Sequence, residues 1–110
     1  MVWIAGRRGR LLNGDCRAGL RDRSDPEFDA EVLSLAWFDD RLYLGTRRGL
    51  AVFDGRRISL VETSLERPLK DAHAVDAVDG ALWVFGYEGI ACFDGVRWRR
   101  QPIGYESAVG

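Results

Sequence analysis

Two arginine pairs, Arg7-Arg8 and Arg47-Arg48, stand forty residues apart, and forty residues further on the same position holds Tyr87-Glu88. Fifteen of the sixteen basic residues are arginine, Lys70 being the exception. The planar guanidinium fork suits carboxylates, phosphates and sugar acids through paired hydrogen bonds, so this recurring position is the first candidate for a binding rim. Acidic groups in Ser24-Asp25-Pro26-Glu27 and in the run from Glu66 to Asp71 can offset that positive charge. His73 is the only histidine, and the residue forty positions before it is Leu33, which favours a strand-start or channel-lining role over catalysis. Asp76 near it is a further candidate contact.

Reactive chemistry is harder to assemble. Asp54 and Asp94 could suggest paired carboxylates for acid/base work, but each precedes a glycine at the same position of the forty-residue spacing, which reads as turn chemistry. Cys16 and Cys92 form no CxxC motif and have no histidine or cysteine at zinc-ligand spacing, so they read as two free thiols. No nucleophile elbow, phosphate loop or HExxH occurs. The sequence therefore predicts a non-enzymatic protein with no catalytic residues, no metal and no cofactor.

The elements that position these residues follow from the repeat. Leu42-Tyr43-Leu44 matches Leu82-Trp83-Val84, and the seven residues from Gly49 to Gly55 match those from Gly89 to Gly95, with Phe-Asp-Gly identical. The same shift carries Trp3-Ile4 onto Tyr43-Leu44 and Arg7-Arg8-Gly9 onto Arg47-Arg48-Gly49, and one deletion then sets Asn13-Gly14 on Asp54-Gly55. The copies occupy approximately 1–29, 30–70 and 71–110. In the middle copy, strands are expected over Val32 to Phe38, Arg41 to Gly45, Leu50 to Phe53 and Arg57 to Glu62, with tight turns at Asp39-Asp40 and Asp54-Gly55. The third copy repeats this with Val75 to Val78, Ala81 to Phe85, Ile90 to Phe93 and Arg97 to Gln101. Four antiparallel strands in forty residues is the size of a β-propeller blade, whose inner strands are covered on both faces. Trp3, Tyr43 and Trp83 should then lie between blades, while Trp37, Trp98 and Tyr105 break the repeat and are expected to be exposed.

Leu42-Tyr43-Leu44-Gly45-Thr46 followed by Gly49-Leu50-Ala51-Val52-Phe53-Asp54-Gly55 resembles the repeat of the two-component-regulator propellers, found in the sensor regions of bacterial hybrid histidine kinases. The third copy is a degenerate match, and Val2-Trp3-Ile4-Ala5-Gly6 with Gly9 is a third that lacks the Phe-Asp. The resemblance implies a propeller used for ligand sensing or docking. In such a fold the loop carrying Arg47-Arg48 lies on the same face as the connections between blades.

With 110 residues and a formal charge of −1, the chain is expected to be one domain, without room for a catalytic domain beside a regulatory one, and has no global basic charge to hold nucleic acid. No apolar run approaches the ~18–20 residues of a membrane span, and no signal-like segment opens the chain, so a cytoplasmic location is expected. About three blades, the first missing its inner strand, cannot close a ring alone, since closed propellers have ~4–8. A homodimer forming a six-bladed ring is the expected assembly, with Gly104 to Val109 available as a missing inner strand. The expected function is a protein-interaction or ligand-sensing module, binding an acidic peptide, a protein or a small molecule at Arg7, Arg8, Arg47, Arg48, Tyr87, Glu88 and His73. The rival is a carbohydrate-binding propeller, because small two-blade lectins are similar in closing by oligomerisation and holding sugars with tryptophan and arginine.

Overall fold

The computed structural model of the protein describes residues 2–6, 10–63, 65, 69, 71–87 and 89–101. Among these every regular element is a strand, as alternating runs broken by Asp, Asn and Gly require. The first sheet holds β1 (Val2–Ala5), β2 (Leu11–Asp15) and β3 (Gly19–Asp22). A second holds β4 (Val32–Phe38), β5 (Arg41–Thr46), β6 (Gly49–Phe53) and β7 (Ile58–Leu60). The third holds β8 (Ala74–Val78), β9 (Ala81–Gly86), β10 (Gly89–Phe93) and β11 (Trp98–Gln101). Each is an antiparallel meander in which chain neighbours pair. The protein is thus all-β, with three antiparallel sheets of three, four and four strands.

Turn chemistry sets the hairpins. Asp39 and Asp40 both take positive φ, 52° and 58°, and the corresponding pair Asp79-Gly80 takes 51° and 77°. Two positive φ values in a row give the twist that a two-residue hairpin needs, at a steric cost wherever the residue is not glycine. At the other tight turn a carboxylate takes over: Asp54 Oδ1 accepts from the amides of Arg56 and Arg57, both at 2.8 Å, and Asp94 Oδ1 does the same with Val96 and Arg97. In the first sheet that role belongs to Asp15, whose Oδ1 accepts from Arg17 at 2.9 Å and Ala18 at 2.7 Å. The expected match of Asn13-Gly14 to Asp54-Gly55 is corrected accordingly. Ala5 pairs with Leu11 as Gly45 pairs with Leu50, so Asn13 stands opposite Trp3 where Val52 stands opposite Tyr43.

Among the described residues one backbone hydrogen bond ties each sheet to the next. The Val32 amide donates to Gly6 O at 3.2 Å, and forty residues later the Ala72 amide donates to Thr46 O at 2.8 Å. The second crossing is so close that a Cβ on Gly45 would lie 2.6 Å from Ala72 O. Only glycine fits there.

Period-two alternation then fills two cores. Leu42 and Leu44 turn toward the first sheet and pack with Leu11, Ala51, Phe53 and Ile58, where Trp3 meets Phe53 edge-on at 5.6 Å. Tyr43 turns the other way, with Ala36 and Leu50, and meets Val75, Leu82 and Val84 of the third sheet. A strand covered on both faces is apolar throughout, which accounts for the uninterrupted Leu-Tyr-Leu run.

Several expectations need correction. The fourth strand of the middle copy is Ile58–Leu60, shorter than Arg57 to Glu62. Trp83 does not lie between sheets: it is 38% exposed, since among the described residues no sheet packs on its face of the third sheet. Trp98 is not free either, since it stacks on Phe93 at 4.9 Å, its register partner across β10 and β11. Trp37 is exposed as expected. Tyr105 and the segment from Gly104 to Val109 lie outside the described residues.

Two outcomes follow from the turns. Asp40→Gly should raise stability by about 1 kcal/mol, the left-handed penalty it relieves, read as a higher urea midpoint. Backbone amides hold the carboxyls of Asp54 (Arg57, then Arg56), Asp94 (Arg97, then Val96) and Asp15 (Ala18, then Arg17) below the usual range. Stability from these depressed groups is therefore complete above their unfolded value of ~3.9 and lost as pH falls through the lower folded values. A urea titration series from pH 6 downward should show the midpoint falling only below about pH 4, and Asp54→Asn should flatten that fall.

Candidate functional site

The turn between β5 and β6 is built from inside. Thr46 is fully buried, and its hydroxyl donates to Gly49 O at 2.7 Å while accepting from the Arg48 amide at 3.1 Å. Arg47 and Arg48 therefore project from a fixed turn. The segment leading into β8 crosses this turn through the Ala72–Thr46 bond, so the loop and the connection between sheets share one end of the molecule.

Each candidate there has a partner. Arg47 donates from Nε to Glu31 Oε2 at 2.6 Å and from its amide to Glu31 O at 3.2 Å. The Glu31 hydrogen bond and charge hold its guanidinium above the ordinary range, with Asp71 adding to the effect. Arg48 places its guanidinium 5.9 Å from the centre of the Phe28 ring, a cation–π contact. Asp71 bridges the third sheet's residues: Oδ1 accepts from the Tyr87 amide at 2.7 Å, and Oδ2 lies 3.0 Å from His73 Nε2. Tyr87 is 85% exposed. The structure thus brings Arg47, His73 and Tyr87 together around Glu31 and Asp71. Asp76 sits apart, on the outward face of β8 opposite Trp83. Arg7, Arg8 and Glu88 lie outside the described residues.

Sequence reasoning missed Glu31, although a signal existed. Glu31 and Asp71 are forty apart, as are Arg47 and Tyr87, so the two acid-to-loop contacts are one repeated device. Asp25 and Glu27, expected to neutralise the arginine pairs, work elsewhere. Asp25 is buried and accepts from the Ile58 amide at 2.9 Å, and Glu27 pairs with Arg57 at 2.9 Å.

This chain is similar to an immune protein. Over 106 residues it is 31% identical to the immune protein Tsi7 of Pseudomonas aeruginosa, a match covering 90% of this chain and 32% of that protein. The chain spans about a third of that relative's length. No protein-family model matches the sequence, and no solved structure matches it. The uncovered tenth of the chain is shorter than any one sheet, so the similarity reaches all three.

A cleft opens at the opposite end of the sheets. Trp3, Asn13, Arg23, Trp37, Arg41 and Asp54 help line this cleft of about 700 Å³ between the first two sheets. Buried Asn13 accepts there from Arg23 Nε at 3.1 Å, and Trp37 is 56% exposed. Among the described residues no three His, Cys, Asp or Glu side chains converge as a metal site. Cys16 and Cys92 are free thiols.

The Asp71 bridge has a direct readout. In Asp71→Ala the Tyr87 amide loses its charged acceptor, and its hydrogen exchange should quicken roughly ten-fold, in line with a hydrogen bond to a charged group, while amides of the second sheet stay protected.

Proposed function

We propose that this chain is a non-enzymatic protein-interaction module with an immune role like that of its relative, exerted by binding another protein. The similarity to an immune protein over 90% of the chain carries this reading. Its binding surface is the end bearing Arg47, Arg48, His73 and Tyr87. Three properties support the assignment. Tyrosine and arginine dominate binding energy at protein interfaces. Both stand exposed on turns whose backbone is anchored from below, so little backbone freedom remains to be lost on binding. The Glu31–Arg47 pair and the Asp71 carboxylate held beside His73 add a fixed pattern of polar and charged groups, which orients a partner and selects against a mismatched one. The partner presents carboxylates to Arg48 and Arg47 and an apolar or polar ring-sized surface to Tyr87.

On this reading the sheets are blades of a propeller built from two-component-regulator-type repeats, and the row is completed to a ring by oligomerisation. Sheet order and the forty-residue recurrence of the crossing bond support it.

A carbohydrate-binding role is the second reading, favoured by exposed Trp37 at the mouth of the cleft beside Arg41. A sugar stacking on that indole would quench and shift its fluorescence.

Affinity capture with the immobilised chain, followed by titration of the recovered protein, separates the two. The module reading expects a protein ligand whose affinity falls at least about ten-fold in Arg48→Glu and in Tyr87→Ala, as for interface hot spots, and weakens with added salt. A glycan array bound through Trp37, with no protein recovered, would replace it by the second reading.

A further inference from the structure

The middle sheet shows how one sheet of this molecule recognises the next. Leu42 and Leu44, 3% and 0% exposed, turn back onto the first sheet, while Tyr43, 6% exposed, turns forward onto the third. Forty residues later Leu82 and Val84 repeat the backward contact, 0% and 1% exposed against the second sheet. The same joint is therefore made twice.

On the outer faces of the first and third sheets the halves of this joint stand exposed among the described residues. Val2 and Ile4 hold the positions of Leu42 and Leu44 but are 52% and 45% exposed, on the face of the first sheet turned away from the second. Leu20, the register partner of Gly14 as Ile58 is of Phe53, adds a third apolar side chain at 51% exposure. At the far end Trp83 holds the position of Tyr43, and Phe85 and Val78 are 52% and 45% exposed. Contiguous apolar groups of this kind mark an interaction surface. A row of identical joints leaves ends that complement each other.

We propose that the two open faces are the halves of one joint and that a second copy of this chain fills each of them. Trp83 and Phe85 of one copy pack on Val2, Ile4 and Leu20 of the next, as Tyr43 packs on the third sheet within a single chain. The occupant is argued from continuity with the interface already present: each open face carries the repeat equivalents of residues that elsewhere meet the opposite face. The contact is head-to-tail, so it closes when two copies face each other about a two-fold axis through the ring centre. Two copies give six sheets, inside the ~4–8 of closed rings. This inference rests on the propeller reading above and leaves the Arg48 and Tyr87 surface at the strand ends free.

Light scattering on the purified chain should give twice its 12.4 kDa mass. Ile4→Asp and Trp83→Asp change exposed positions, so each should keep the far-ultraviolet spectrum of a folded sheet yet run as a monomer. Mixed, they should form a heterodimer, because the intact Trp83 face of one variant meets the intact Ile4 face of the other. Leu20→Asp and Phe85→Asp replace them if either fails to fold. A monomeric wild-type chain overturns the proposal. So does a Trp83→Asp monomer beside an Ile4→Asp dimer, which means face-to-face pairing, or a mixture that stays monomeric, which leaves the faces to other occupants. Arg48→Glu and Tyr87→Ala should remain dimeric, so loss of partner binding in those variants bears on the module reading alone.

Discussion

A single backbone hydrogen bond, from the residue opening one sheet to the carbonyl at a strand end of the sheet before it, sets the spacing of the whole chain. It occurs at Val32–Gly6 and at Ala72–Thr46, and the second crossing tolerates no side chain at Gly45. The neighbouring Thr46 is buried by the same crossing and spends its hydroxyl on the turn that carries Arg47 and Arg48. The Gly-Thr pair is therefore a packing requirement and a positioning device at once. Moving the crossing strand would release the loop.

The two half-sites show how a repeat turns one scaffold into different chemistry. Glu31 holds Arg47 by a side-chain ion pair, whereas Asp71, in the same place, holds the Tyr87 amide and reaches His73. The backbone frame is shared. What changes is whether the acid spends its charge on a guanidinium or on an amide and an imidazole. One end of the molecule thus carries a fixed alternation of basic, acidic and aromatic groups, a surface suited to selecting a partner by charge pattern.

Most of the fold was legible because strand and turn signals are local. Val32 to Phe38 reads as a strand from its own residues, and Asp79-Gly80 reads as a hairpin turn without reference to anything distant. Asp15 was missed because Asn13-Gly14 imitates the turn that Asp15 makes, and only the pairing of Ala5 with Leu11 reveals the offset. Trp83 was misplaced for a different reason. It is aromatic at the repeat position of buried Tyr43, and what differs is the sheet packed on Tyr43's face, a property of no residue near Trp83 in sequence. For the site, the arginine loop was visible in its composition, while Phe28 beneath Arg48 depends on how the 23–31 link folds back across the sheet.

Because each sheet packs on its chain neighbours, the molecule behaves in folding as a short one-dimensional array. Within one chain the middle sheet draws on two interfaces and each outer sheet on one. The three-stranded first sheet has fewer ladder pairs to lose than either four-stranded sheet, so local opening should come more easily there. The middle sheet, which carries Arg47 and Arg48, is held on both faces by its own chain.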